Sequence, residues 1–340
     1  MLRESLLYLS NSPAARSLVT EASFGRQMAK RFVAGETLEE AIAASRILNR
    51  DGLLVSLDFL GEIVTDRDEA LSATEMVIRS IERIPISGIT GNISLKPSQL
   101  GLEIGQRFAI ENLRRILQRA RDLGDGEGEI FVRLDMEASS YTERTIRLVE
   151  TLWSEGYRNV GTVLQSYLRR TRDDIQRMNE LGARVRLVKG AYMEPPSVAY
   201  ESKGEVDRMF VRDMELLLRD GNYPAIATHD DKMIAATRRF AFERGIPKSS
   251  FEFQMLYGIR RDLQQRLREE GYNVRIYLPY GDSWYPYLMR RMAERPANLF
   301  FIANSVAREL PLKRVHPLGV GAGVIAGALA ASAWLGREGR

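Results

Sequence analysis

Hydrophobic and polar positions along the chain fall into two alternating textures. Short, nearly continuous apolar runs are each followed by a longer stretch in which apolar residues recur every three or four positions. GLLVSLDFLG (52–61) reads as a strand and DEALSATEMVIRSIERI (68–84) as an amphipathic helix. The pairing repeats in GITGNISLKPS (88–98) with IGQRFAIENLRRILQRARDLG (104–124), and in EIFVRLDME (129–137) with YTERTIRLVETLWSEG (141–156). NVGTVLQSY (159–167) precedes TRDDIQRMNELG (171–182). A fifth strand, ARVRLVKGAY (183–192), is separated from its helix (207–221) by an insertion carrying Pro195 and Pro196. PAIATHD (224–230) and SFEFQMLYG (250–258) each lead into a further helix, and NVRIYLPYG (273–281) enters one that carries Tyr287, Arg290, Arg291 and Glu294. Most helical stretches stop at a glycine (Gly124, Gly156, Gly182, Gly221, Gly245, Gly271), the residue suited to a helix C-terminus.

Eight strand–helix units with apolar strands predict a parallel sheet covered by helices. That count favours a closed (β/α)8 barrel over an open doubly wound sheet, and no glycine-rich dinucleotide fingerprint follows the first strand. The expected class is therefore α/β, with a helical N-terminal segment over residues 1–50, a barrel over 51–312 and an apolar tail over 317–335. LEEAIAASRIL (38–48) is the clearest part of the N-terminal segment, and Asp51-Gly52 ends it.

Composition narrows the chemistry. The chain has 340 residues, 44% hydrophobic and 28% charged, with 49 basic against 45 acidic residues. A balance so near neutrality, without a basic patch interleaved with aromatics, gives no reason to expect nucleic acid. The absence of cysteine excludes disulfides, zinc–thiolate sites, iron–sulfur clusters and a thiol nucleophile. With only His229 and His316, a multi-histidine metal centre is not expected. The N-terminus lacks the apolar core of a secretory signal, so the body reads as cytoplasmic. From Leu318 to Leu335 eighteen residues carry no charge. They fit either a tail anchor at the inner face of the cell membrane or a Gly/Ala helix packed on protein, and Gly323 and Gly327 at GxxxG spacing suit both.

Barrel active sites form at the C-terminal ends of the strands. The polar residues there are Glu62, Lys96, Asp135, Glu137, Gln165, Arg186, Lys189, Thr228, His229, Gln254 and Tyr277. A Lys96–Asp135 ion pair between adjacent strands is expected, because burying either charge alone is costly. On the last helix Tyr287 faces Arg290 and Arg291 at helical spacing. Such a face is either a solvated surface with an Arg–Glu pair or a clamp for a small carboxylate. The pattern alone leaves both open.

Several segments together resemble the proline dehydrogenase family. They are SLDFLGE, ISLKPS, RLDME, VLQSYL, RLVKGAY, ATHD, EFQMLYG and YGDSWYPYLMRR with its trailing AERPAN, in the family's order over about residues 50–310. The resemblance implies a distorted (β/α)8 barrel that binds FAD and oxidises L-proline to Δ1-pyrroline-5-carboxylate, passing electrons to membrane quinone. It implies that Arg290 and Arg291 pair with the substrate carboxylate, helped by Lys96 held by Asp135. Tyr277, Tyr287 and Leu256 would wall the ring, and Glu62 would gate the site by pairing with Arg290. Met136, Gln165, Arg186, Lys189, Gly190, Ala191, Thr228, His229 and Gln254 would contact FAD, with Arg186 near the flavin N5 edge. A site rich in Arg, Lys, Gln and Tyr suits a cofactor-driven reaction, in which the protein positions and polarises. Two other readings stay open on the residues themselves: a non-flavin lyase or aldolase with Lys189 or Lys96 as a Schiff base, and a membrane-tethered barrel without turnover.

Overall fold

In the computed structural model, residues 29–124 and 129–294 are described. They belong to two compact units, one spanning Ala34–Gly281 and the other containing residues 29–33 and 282–294.

The first unit is the expected barrel. Helix α1 (Leu38–Arg50) leads in, its Thr37 N-cap closing a capping box with Glu40. Eight strands follow: β1 (Leu54–Phe59), β2 (Gly91–Leu95), β3 (Val132–Leu134), β4 (Val160–Gln165), β5 (Val185–Val188), β6 (Ala225–Ala227), β7 (Glu252–Leu256) and β8 (Asn273–Tyr280). All neighbours are parallel, and β8 pairs with β1 to close the cylinder. The helices between them are α2 (Arg67–Ile86), α3 (Gln106–Asp122), α4 (Ser139–Ser154), α5 (Thr171–Leu181), α6 (Lys203–Asp220), α7 (Asp231–Glu243) and α8 (Arg261–Glu269).

Successive strand side chains point to opposite faces, so register fixes which residues enter the lumen. Leu57, Ile93, Leu95, Val132, Leu134, Phe253, Val274 and Ile276 are buried in the apolar core with residues of the surrounding helices. The alternate set pairs across the ladder as Ser56↔Asn92, Ser94↔Arg133, Val163↔Arg186, Ala227↔Gln254 and Leu256↔Tyr277. Those positions face the lumen. Barrel interiors are usually filled by Val, Ile and Leu. This one carries arginines, with Gly161, Ala225 and Ala227 in register beside Arg133, Arg186, Glu252 and Gln254 to leave them room.

Gly156, Gly182, Gly245 and Gly271 have the positive φ of left-handed helix caps. Gly221 departs from that expectation: its φ is −88°, and it is required because a Cβ would lie 2.5 Å from the Leu217 carbonyl oxygen. In the second unit, α9 (Trp284–Glu294) follows β8 in the chain after a short turn. Residues 1–28 and 295–340, with the expected apolar tail, His316 and most of the N-terminal segment, lie outside the described residues. Among the described residues no helix is long and apolar enough to cross a membrane.

Candidate active site

Arg186 on β5 is the hub of the lumen. Its Nη1 donates to Asp135 Oδ1 at 2.8 Å, its Nη2 to Ser94 Oγ at 2.8 Å, and its Nε to Gln254 Oε1. The Tyr277 ring stacks on the guanidinium at 5.1 Å. These partners come from β2, β3, β7 and β8, so the side chain crosses the interior and is fixed on four sides. Tyr277 also donates its hydroxyl to Asp135 Oδ2 at 2.7 Å. Burial, then the charges of Asp135 and Asp58, push the Tyr277 hydroxyl well above its ordinary value, so it stays a donor. Burial likewise raises Asp135, against the opposing pull of Arg186.

Lys96 forms its ion pair with Asp58, where the sequence suggested Asp135. Its Nζ lies 3.2 Å from Asp58 Oδ1 on β1, while Asp135 is claimed by Arg186 and Tyr277. The reason is register: Asp58 is level with Ser94, two residues before Lys96 on the same lumen face, whereas Arg186 reaches Asp135 from two strands away. Lys96 still acts on Asp135 through its charge.

Around the mouth, Gln165 donates to the Glu137 carbonyl at 2.9 Å, and the Glu137 carboxylate receives Ser98 Oγ at 2.6 Å. Met136 and Thr228 are buried. Lys189 meets Asp230 at 2.8 Å and Asp207 at 2.5 Å. Leu256 N–H donates to His229 Nε2 at 3.0 Å, so His229 tethers the end of β7 with an unprotonated nitrogen. At Gly190 the backbone has φ +115°, and a Cβ would sit 2.2 Å from the Tyr167 ring. Only glycine fits at 190, and its turn leaves backbone without a side chain directly after the basic Lys189, a setting that suits an anionic group. Glu62 stands exposed in the loop after β1.

In α9, the Arg291 guanidinium lies over the Tyr287 ring at 5.0 Å, as spacing of four residues predicts. Arg290 sits on the same helix, with its side chain outside the described residues.

Four lumen residues escaped the sequence reading. Asp58 is fully buried on β1, Arg133 is 1% exposed on β3, and Glu252 on β7 binds Arg275 on β8 at 2.9 Å. Burial holds Arg133 well below its ordinary value, with Arg186 adding to the effect. Three of them were legible in principle. Each of Arg133, Glu252 and Arg275 lies two residues before a residue already singled out (Asp135, Gln254, Tyr277), and period two sends both to one face.

A family model described as proline dehydrogenase matches residues 41–304. The chain is 41% identical over 312 residues to proline dehydrogenase of Deinococcus radiodurans, covering 91% of this chain and 98% of that one. It is 40% identical over 310 residues to proline dehydrogenase 1 of Bacillus subtilis, covering 91% and 100%. The chain belongs to the proline dehydrogenase family. It is an oxidoreductase acting on proline. A solved structure of proline utilization A (PutA) from Bdellovibrio bacteriovorus, inactivated by N-propargylglycine, is similar with a TM-score of 0.75 and 25% identity. That match covers 87% of this chain and 35% of the other, so the chain spans about a third of that longer protein.

Proposed function

We propose that this enzyme oxidises L-proline to Δ1-pyrroline-5-carboxylate with FAD as its resident cofactor, and that a membrane quinone takes the electrons. The observation that carries the reading is the fixed Arg186, a buried cation held by Asp135, Ser94 and Gln254 at the centre of a lumen otherwise lined for positioning. When bound, FAD supplies the acceptor for the two electrons and the hydrogen leaving the proline Cδ. The chain's own groups do the rest. Gly190 and Ala191 offer backbone, and Lys189, Gln165, Thr228 and His229 offer polar side chains, to the dinucleotide. Arg186 presents positive charge to the cofactor ring, where electrons accumulate. Arg290 and Arg291 of α9 hold the substrate carboxylate, with Lys96 adding positive charge and Glu62 gating entry. Orientation of the ring then presents one C–H bond for transfer.

The Schiff-base alternative loses support, because Lys96 and Lys189 are both engaged as ion-pair cations with carboxylates. An ammonium so engaged offers no lone pair to a carbonyl.

Tyr277 and Leu256 wall the ring. The hydroxyl bond to Asp135 keeps Tyr277 from swinging aside, so a substituent at C4 of the substrate meets a fixed obstacle. Proline is expected to be turned over with a higher kcat/KM than trans-4-hydroxy-L-proline, and equal values would dismiss the wall. The purified protein is expected to be yellow, with its visible flavin absorbance bleached by proline without oxygen. A colourless protein that does not take up added FAD would defeat the proposal. Carbonate extraction of membranes carrying the full chain, or one truncated before Pro317, tests whether the tail brings the enzyme to its acceptor.

A further inference from the structure

Below Arg186 a line of hydrogen bonds continues down the lumen to the far end of β7. Arg186 Nε donates to Gln254 Oε1, and the Nε2 of the same amide donates to Glu252 Oε1. Glu252 is held from the other side by Arg275, whose Nε lies 2.9 and 3.0 Å from its two oxygens and whose Nη1 donates to the Val55 carbonyl at 2.9 Å. Glu252 and Gln254 are 1% and 2% exposed.

The order of atoms in this line matters. An amide can turn either its oxygen or its NH2 group toward a neighbour, and only the network decides which. Arg186 has donors alone, so it needs the Gln254 oxygen. An ionised Glu252 accepts alone, so it forces the Gln254 NH2 downward and leaves the oxygen upward. Burial pushes the Glu252 carboxyl up, but the Arg275 charge and hydrogen bonds, with Arg133, outweigh it and keep the group ionised. Arg275 also cancels a charge that would otherwise stand buried and unpaired.

We propose that Glu252 is a positioning residue of the reaction: through the Gln254 amide it fixes the orientation in which Arg186 is presented to the cofactor. This rests on the reading that Arg186 acts on the flavin, and it assigns a role to a carboxylate that need not touch cofactor or substrate itself.

The test is Glu252→Gln in the FAD-loaded enzyme, measured by flavin midpoint potential and by steady-state kinetics. A neutral amide at 252 no longer dictates how Gln254 turns, so Arg186 loses its fixed acceptor. The expected result is a more negative potential, with reduction about tenfold less favourable, or about 30 mV for a two-electron couple. An accompanying fall in kcat of about tenfold, with KM for proline changed less than about twofold, marks an effect confined to the chemical step. Direction discriminates, because deleting a negative charge without repositioning Arg186 moves the potential the other way. In a Gln254→Met background, Glu252→Gln is expected to add no further negative shift, since its route is gone. An unchanged or raised potential in Glu252→Gln, or an equal negative shift with and without Gln254, overturns the proposal. Should Glu252→Gln not fold, Gln254→Met keeps the Glu252–Arg275 pair and must itself lower potential and kcat; unchanged values overturn the proposal. Arg186→Lys is run in parallel. If it moves neither potential nor kcat, the reading of Arg186 fails and this one with it; if it moves both while Glu252→Gln moves neither, this inference alone fails.

Discussion

Asp135, the residue just after β3, and Arg186 on β5 meet at 2.8 Å although β4 lies between their strands. The contact is made inside the cylinder, where closure of the sheet brings non-adjacent strands within a side-chain length. It sits on one axis with Tyr277, which touches both partners. The pair is 6% and 13% exposed, so each charge depends on the other for solvation.

Removing one partner should therefore be costly. Asp135→Ala is expected to lose on the order of 3–5 kcal/mol of stability, the usual penalty for a buried charge left alone. Tyr277→Phe removes a neutral donor to the same carboxylate and should cost only about 1 kcal/mol. Urea unfolding of both variants checks the contrast. Equal losses would show that the ion pair is not the dominant contact.

The second prediction concerns α9. Arg291→Met keeps an unbranched, flexible stem beside Tyr287 while deleting the guanidinium that lies over its ring. KM for proline is expected to rise by about tenfold or more, the loss of a charge-assisted carboxylate contact. FAD content should be unchanged. An unaltered KM would remove Arg291 from the carboxylate clamp.

Gly190→Ala tests the turn after β5. The new methyl group meets the Tyr167 ring at 2.2 Å and requires a φ that L-residues rarely adopt. Tyr167 cannot move freely, since its N–H donates to the Lys189 carbonyl at 2.9 Å and its own carbonyl accepts from Tyr200 at 2.8 Å. Strain of about 1–3 kcal/mol should appear as a lowered Tm, together with less than one flavin per chain. Full flavin content would show that this turn does not carry the cofactor.

The barrel was legible because each unit states itself locally: an apolar run, a turn, a periodic helix and a glycine stop. Helix α3, expected from Ile104 and found from Gln106, shows how little tertiary packing had to correct. Partner choice inside the lumen was not legible in the same way. Lys96 and Asp135 lie on neighbouring strands, and proximity in sheet order suggested the pair. Shear of the closed barrel instead set Lys96 against Asp58 and let Arg186 reach Asp135 from two strands away. Glu252 read as one polar residue in a strand, and its meaning depends on Gln254 and Arg275, which the fold alone brings to its oxygens.

A last prediction comes from outside the site. Asp213 on α6 is 4% exposed, and burial pushes its carboxyl up to about 6 from an ordinary 3.8. A raised folded-state value means that the folded protein binds the proton more tightly than the unfolded chain. The stabilisation is then complete below the ordinary value and is lost as pH climbs through about 6. The loss amounts to roughly 3 kcal/mol, from about 1.4 kcal/mol per unit of difference. Asp213→Asn keeps the shape without a titrating group, and every other group titrates alike in both proteins. Its Tm should match that of the parent near pH ~4 and exceed it increasingly up to pH ~7, by several degrees for a chain of this size. A Tm difference that does not change across that range would show that Asp213 is solvated or paired well enough to ionise at no cost to folding.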